Sequence, residues 1–77
     1  MTDIQILDLI ERHINACQEL QKQYNAKAQR ARELNDWDMF DINHNEQTLF
    51  AERESALQLL YTEVCEYIDE ELTNQGG

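Results

Sequence analysis

From Leu7 to Ala31 the chain places Leu7, Ile10, Ile14, Cys17, Gln21, Tyr24, Ala28 and Ala31 at alternating spacings of three and four. That period draws one stripe along an α-helix. Ile4, Ile6, Leu9 and Leu20 widen the stripe in its first half, and it fades near Leu34. Thr2, followed three residues later by Gln5, fits a capping box. A first helix is therefore predicted over about residues 3–34.

The pattern breaks in LNDWDMFDIN. Asn35, Asp36 and Asp38 have short polar side chains that compete with helical hydrogen bonds, so a turn is predicted over about residues 35–38. Asp38 is the preferred cap of a second helix, with Trp37 and Ile42 placed as a hydrophobic staple and Asp41 in the first turn. A later start, with Asn43 as the cap and Glu46 completing a box, is the alternative. The second apolar stripe reads Ile42, Leu49, Ala56, Leu57, Leu60, Val64, Tyr67, Ile68 and Leu72, interrupted by Glu46 and Arg53. It predicts a helix over about residues 39–73 with a flexible tail at about 74–77.

The chain has no proline, and its only two glycines, Gly76 and Gly77, close it. Tight turns and strand meanders are hard to build from such a sequence. The fold class expected is all-α: a single domain consisting of an antiparallel two-helix hairpin. A turn centred near Trp37 pairs residue i with about residue 74 − i. In that register Leu7 meets Tyr67, Ile10 meets Val64, Ile14 meets Leu60 and Cys17 meets Leu57. The turn end brings the small or polar Ala28, Ala31, Asn43 and Glu46 together.

Two helices offer each other one seam. Ile6, Leu9, Leu59, Tyr61 and Cys65 cannot all lie in it, and each large side chain left in water forgoes about 1.5–3 kcal/mol of burial. With 77 residues the chain is also of the size at which a lone core contributes only about 3–5 kcal/mol. A homodimeric four-helix bundle is therefore expected, with Ile6, Leu9, Leu59 and Cys65 as its interface. The alternative is a three-helix monomer, in which the second helix folds back at residues 41–46.

Charge adds a second expectation. The net charge is −10. Residues 1–35 hold five acids and five bases, whereas residues 36–77 hold eleven acids and one base, Arg53. Asp69, Glu70 and Glu71 fall in the last turns of the second helix, where anions oppose the helix dipole by about 0.3–1 kcal/mol each. Glu66 and Glu70 repel at a spacing of four. Local rules broken without local compensation point to function. An acidic rim beside apolar groups suits a basic protein surface with an apolar centre, such as a nucleic-acid-binding protein presents.

The function expected is thus a non-catalytic protein–protein interaction module, a small acidic helical regulator or inhibitor of the kind phages and plasmids encode. Its partner-binding residues are Glu63, Glu66, Asp69, Glu70 and Tyr61, with Trp37 as a secondary anchor. One rival is a dimeric hairpin that binds RNA or DNA through Lys22, Lys27, Arg30 and Arg32, which long-range repulsion from a chain of this charge opposes. The other is a structural assembly subunit.

Other chemistry finds little support. Cys17 and Cys65 differ by about eight positions in the hairpin register, or ~12 Å along the axis, too far for an intrachain disulfide. His13 and His44 lie about 25 Å apart along the rod. DWDMFDINHNEQ starts like a calcium loop but has Phe40 at the fifth position, Asp41 in place of the glycine and Gln47 in place of the bidentate glutamate. There is no glycine-rich phosphate loop, and neither histidine is placed to activate Ser55, the one serine. No enzyme activity, cofactor or metal is expected. The N-terminus lacks a basic region followed by a long apolar run, and no stretch reaches the length of a membrane span, so a cytoplasmic protein is expected.

Overall fold

The computed structural model describes residues 2–76, with side chains described through residue 72. It is an antiparallel helical hairpin, α1 (Asp3–Glu33) followed by α2 (Trp37–Gly76), that forms a rod of 63 × 15 × 14 Å. α2 runs unbroken through residues 41–46, so the hairpin is the fold and the three-helix alternative is not. α2 also continues through Gly76 where a flexible tail was expected from residue 74; Gly77 lies outside the described residues.

α1 begins as its sequence predicts. The Gln5 amide N–H donates to Thr2 Oγ1 at 3.2 Å, and the Thr2 N–H donates to Gln5 Oε1 at 2.9 Å. Two of the orphan donors at the helix start are thereby satisfied. At its other end, Asn35 takes the left-handed conformation at φ 57, which asparagine tolerates better than other non-glycine residues. That turn lets the Asp36 N–H reach the Ala31 carbonyl at 2.8 Å and the Asn35 N–H reach the Arg32 carbonyl at 3.1 Å. Together they form a Schellman closure of α1.

Asp36 does double duty. While its N–H closes α1, its Oδ1 accepts from the Met39 N–H at 3.2 Å and its carbonyl accepts from the Phe40 N–H at 2.9 Å. The cap of α2 is therefore Asp36, not Asp38, and Trp37 is the first helical residue and not one arm of a staple with Ile42. Trp37 instead packs edge-on against Phe40, with ring centroids 5.8 Å apart. The reason is the Schellman turn, which fixes the chain direction two residues earlier than the run of acids suggests. Asp36→Ala is expected to cost about 0.5–2 kcal/mol, the range for losing a side-chain cap. Asp38→Ala removes only a favourable charge in the first turn and is expected to cost about 0.3–1 kcal/mol. Urea denaturation followed by helical circular dichroism ranks the two.

The seam follows the expected register. Tyr24 and Phe50 stack with centroids 5.7 Å apart, Gln21 Nε2 donates to Glu54 Oε1 at 2.7 Å, and Cys17 and Leu57 line one cleft. Every member of the α1 stripe from Leu7 to Ala31 is buried or half-buried. On α2 the residues turned toward α1 are Phe40, Asn43, Gln47, Phe50, Glu54, Leu57, Tyr61, Val64 and Ile68, a strict alternation of three and four. Ile42, Leu49, Leu60 and Tyr67, which the sequence pattern assigned to the same stripe, are exposed.

Burial is sparse. Among the described residues the buried set is Ile10, Cys17, Ala28, Ala31 and Asn43, and no large side chain is completely enclosed. The molecule exposes 6020 Å², against about 4,900 Å² for a compact monomer of its mass. The seam is thus one layer deep, and most large apolar groups outside it remain in water.

Candidate functional site

Three surfaces of the rod differ in kind, and helical spacing fixes which residues share each one. The first is a flank running the length of the hairpin. α1 contributes two lines to it, Ile6, His13, Leu20, Lys27 and Leu34, then Leu9, Ala16, Gln23 and Arg30, each spaced by seven. α2 contributes Met39, Glu46, Arg53, Leu60 and Tyr67, then Ile42, Leu49, Ala56, Glu63 and Glu70. Two clefts confirm that these lines lie side by side. One is lined by His13, Ala16, Cys17 and Leu20 of α1 with Phe50, Arg53, Ala56 and Leu57 of α2. The other is lined by Lys27, Arg30, Ala31 and Leu34 with Met39 and Asn43. Leu49 is 40% exposed and Leu60 44%.

The opposite flank is polar for most of its length. Glu11, Gln18, Asn25 and Arg32 of α1 face it, as do Asp41, Thr48, Ser55, Thr62 and Asp69 of α2. A shallow cleft on this side is lined by Glu11, Ile14, Gln58, Tyr61 and Thr62. The hairpin is therefore amphipathic across its width, apolar on one flank and polar on the other.

The third surface is the outer arc of α2 toward the open end. Glu63, Glu66, Asp69 and Glu70 are all exposed there, Glu63 and Glu70 at its border with the apolar flank and Asp69 at its border with the polar one. Spacings of three and four put Glu63, Glu66 and Glu70 on one strip, with Asp69 beside them. Leu59 sits one turn before Glu63 on the same outer arc and is 62% exposed. The ion pairs among the described residues are Arg12 with Asp8 at 3.0 Å and Lys22 with Glu19 at 3.5 Å, both within α1. None engages the acidic arc.

The residues singled out from the sequence are thus divided among these surfaces. Glu63, Glu66, Asp69 and Glu70 come together. Tyr61 does not join them, because it is half-buried on the side facing α1. Trp37 is 54% exposed at the turn end, about 39 Å along α2 from Glu63 at 1.5 Å per residue, so it cannot belong to the same small contact. Of the residues expected at a dimer interface, Ile6 and Leu9 lie on the apolar flank, Leu59 on the outer arc and Cys65 half-buried on the polar side. Leu20, Leu49, Leu60 and Tyr67 are the flank residues that sequence reasoning left out of an interface. Leu20 was read as widening the first stripe, and the signal of Leu49, Leu60 and Tyr67 was present in the second stripe but assigned to the seam.

Local chemistry follows from these positions. Tyr67 Oη–H donates to Glu71 Oε1 at 2.8 Å. That bond, the Glu71 charge, slight desolvation and the Asp3 charge together raise the phenol above its ordinary value of 10.0. The four bases proposed for nucleic-acid binding do not form a stripe. Lys22 pairs with Glu19, Lys27 lies 5.0 Å over the Tyr24 ring, and Arg30 and Arg32 point to different sides. They also make no bridge to Glu46, Glu52 or Glu54 across the hairpin among the described residues; Glu54 instead takes Gln21 and Gln58. Arg53 lies 5.2 Å over Phe50, and His44 stacks on Phe40 at 5.7 Å.

Ser55 Oγ–H donates to the Ala51 carbonyl at 3.2 Å, and Cys17 and Cys65 are free thiols. Among the described residues no cluster of three His, Cys, Asp or Glu is arranged to hold a metal, and no helix is long and apolar enough to cross a membrane. No protein-family model, curated protein or solved structure matches the chain.

Proposed function

We propose that the protein is a non-catalytic interaction module, an acidic helical regulator or inhibitor that docks the outer arc of α2 on a basic protein surface. The observation that supports this reading most directly is the group Glu63, Glu66, Asp69 and Glu70, four exposed carboxylates on one arc with no base paired to them among the described residues. α2 runs on to Gly76, so these carboxylates lie upstream of its last turn, and what remains is mutual repulsion, about 0.2–0.5 kcal/mol for Glu66 with Glu70. A basic partner would reverse the sign of that term. Exposed Leu59 on the same arc supplies the apolar contact that a purely electrostatic surface lacks. Charge of this kind mainly steers encounter and selects partners.

The test is capture of the partner from extract of the native host, followed by binding of the purified pair. Glu66→Lys combined with Glu70→Lys is expected to weaken the complex about 10- to 100-fold, because each reversal removes an attraction and adds a repulsion. Glu11→Lys, on the other flank, is expected to have little effect. Raised salt should weaken the wild-type complex in the same direction. A complex indifferent to both the double reversal and salt would remove the acidic arc from the reading.

A further inference from the structure

We infer that the apolar flank is the seat of a second copy of this chain, paired flank to flank in a four-helix bundle that leaves Glu66 and Asp69 of both copies outward. The acidic arc is the neighbouring face of α2 and shares Glu63 and Glu70 with the edge of this flank.

Area is the first argument. Two separate rods expose twice 6020 Å², whereas a compact body of their combined mass exposes about 8,100 Å². Pairing can therefore remove up to about 3,900 Å² from water, within the roughly 2,000–5,000 Å² typical of obligate homodimers. The 63 × 15 × 14 Å shape supplies a flank long enough to carry such an interface.

Charge is the second argument, and it selects the occupant. The chain as a whole is −10, yet the flank lines hold three bases, Lys27, Arg30 and Arg53, and three acids, Glu46, Glu63 and Glu70. A face built for a basic partner would carry the excess negative charge of the rest of the molecule. A face that must meet its own copy cannot, since identical net charges would repel across an isologous contact. α2 contributes Arg53 against the three acids, and Lys27 and Arg30 of α1 complete the balance across the flank.

Shape is the third. Small Ala16 and Ala56 sit mid-flank beside Leu20, Leu49 and Leu60. Small residues flanked by large ones let a two-fold related copy interdigitate, as core layers of helical bundles do.

The test uses the full, untagged chain. Sedimentation across a wide concentration range is expected to give twice the chain mass, and the unfolding temperature is expected to rise with concentration, as it does when folding and association are coupled. Two mild variants then locate the face. Ala56→Cys lies on the apolar flank and Ser55→Cys next to it on the polar one, and both positions are exposed in the single hairpin. At concentrations where the chain is dimeric, alkylation at the Ala56→Cys peptide should be about tenfold slower or more than at the Ser55→Cys peptide, and the protection should vanish on dilution. A folded monomer at every concentration, with a concentration-independent unfolding temperature, overturns the inference and assigns the flank to another protein. A dimer in which both thiols react alike, or in which only Ser55→Cys is protected, overturns it as well by moving the contact to a different face.

Discussion

Replacing Ile10 with alanine is expected to destabilise the hairpin by about 2–5 kcal/mol, the range for deleting a buried aliphatic side chain and leaving a partly collapsed cavity. Ile10 is 7% exposed and is the largest of the buried side chains. In the register of the seam it faces Val64, where the layer between the helices is one residue deep and has no second shell to close over a void. A core of this size contributes only about 3–5 kcal/mol in all, so the variant should lose most of its helical signal at room temperature, unlike a variant in a larger domain. Ile4→Ala is the matched control, since Ile4 is 80% exposed and the same deletion there should change stability by no more than about 0.5 kcal/mol. Urea denaturation of both, followed by circular dichroism at fixed protein concentration, gives the comparison. An Ile10→Ala protein as stable as the Ile4→Ala protein would mean that the seam is not where the hairpin's stability resides.

The two helices were legible to different degrees, and the difference has a physical cause. α1 has one dominant burial direction along most of its length, so its apolar residues report a single stripe. Each of Leu7, Ile10, Ile14, Cys17, Gln21, Tyr24, Ala28 and Ala31 is at least half-buried on the seam side. α2 has two apolar faces, one toward α1 and one on the open flank. A single stripe drawn through Ile42, Leu49, Leu57, Leu60, Val64, Tyr67 and Ile68 falls between them. Leu57, Val64 and Ile68 belong to the seam, and Ile42, Leu49, Leu60 and Tyr67 to the flank.

Phe50 was missed for the same reason, although it stacks on Tyr24. Polar Gln47 and Glu54 hid the strict spacing on either side of it. One of those interruptions makes sense only in three dimensions, since Gln21 of α1 meets Glu54 of α2. Each polar residue looks like a flaw in its own stripe, and the pair is a hydrogen bond within one seam. The same limit applied to the turn. Asn35, Asp36 and Asp38 are all competent caps, and what selects Asp36 is the left-handed Asn35, which no periodicity records.

The acidic arc was legible as to its members but not its neighbours. Glu63, Glu66, Asp69 and Glu70 group together by spacing alone. That Tyr61 turns away from them toward α1 depends on which face of α2 the seam claims. The choice between seam and flank therefore decides which apolar residue accompanies the acids, and it leaves Leu59.

Enlarging a small buried residue at the turn end of the seam is expected to have the second largest effect. Ala28 is 2% exposed and Ala31 6% exposed, and Ala31 lines one cleft with the buried Asn43. Asn43 Nδ2 donates to the Met39 carbonyl at 2.9 Å, which satisfies the amide within its own helix and lets it lie against a small neighbour. Ala31→Leu places three further heavy atoms in that contact. Elsewhere along the rod the helices can part to admit them, but at this level they cannot. Ala31 is joined to α2 through the link closed by its own carbonyl, which accepts from the Asp36 N–H at 2.8 Å. Overpacking that cannot relax costs about 1–3 kcal/mol, and here the upper part of that range is expected because spreading the helices would also break the Schellman closure. Ala26→Leu, on the exposed outer side of α1, adds the same atoms with no neighbour to displace and should stay within about 0.5 kcal/mol of the native protein. Amide exchange at Asn35 and Asp36 separates the two consequences: loss of protection there in Ala31→Leu, together with reduced stability, is the result expected. An Ala31→Leu protein with native stability and native protection at the link would show that the turn end holds spare volume, and that the small residues there are not needed to bring the helices together.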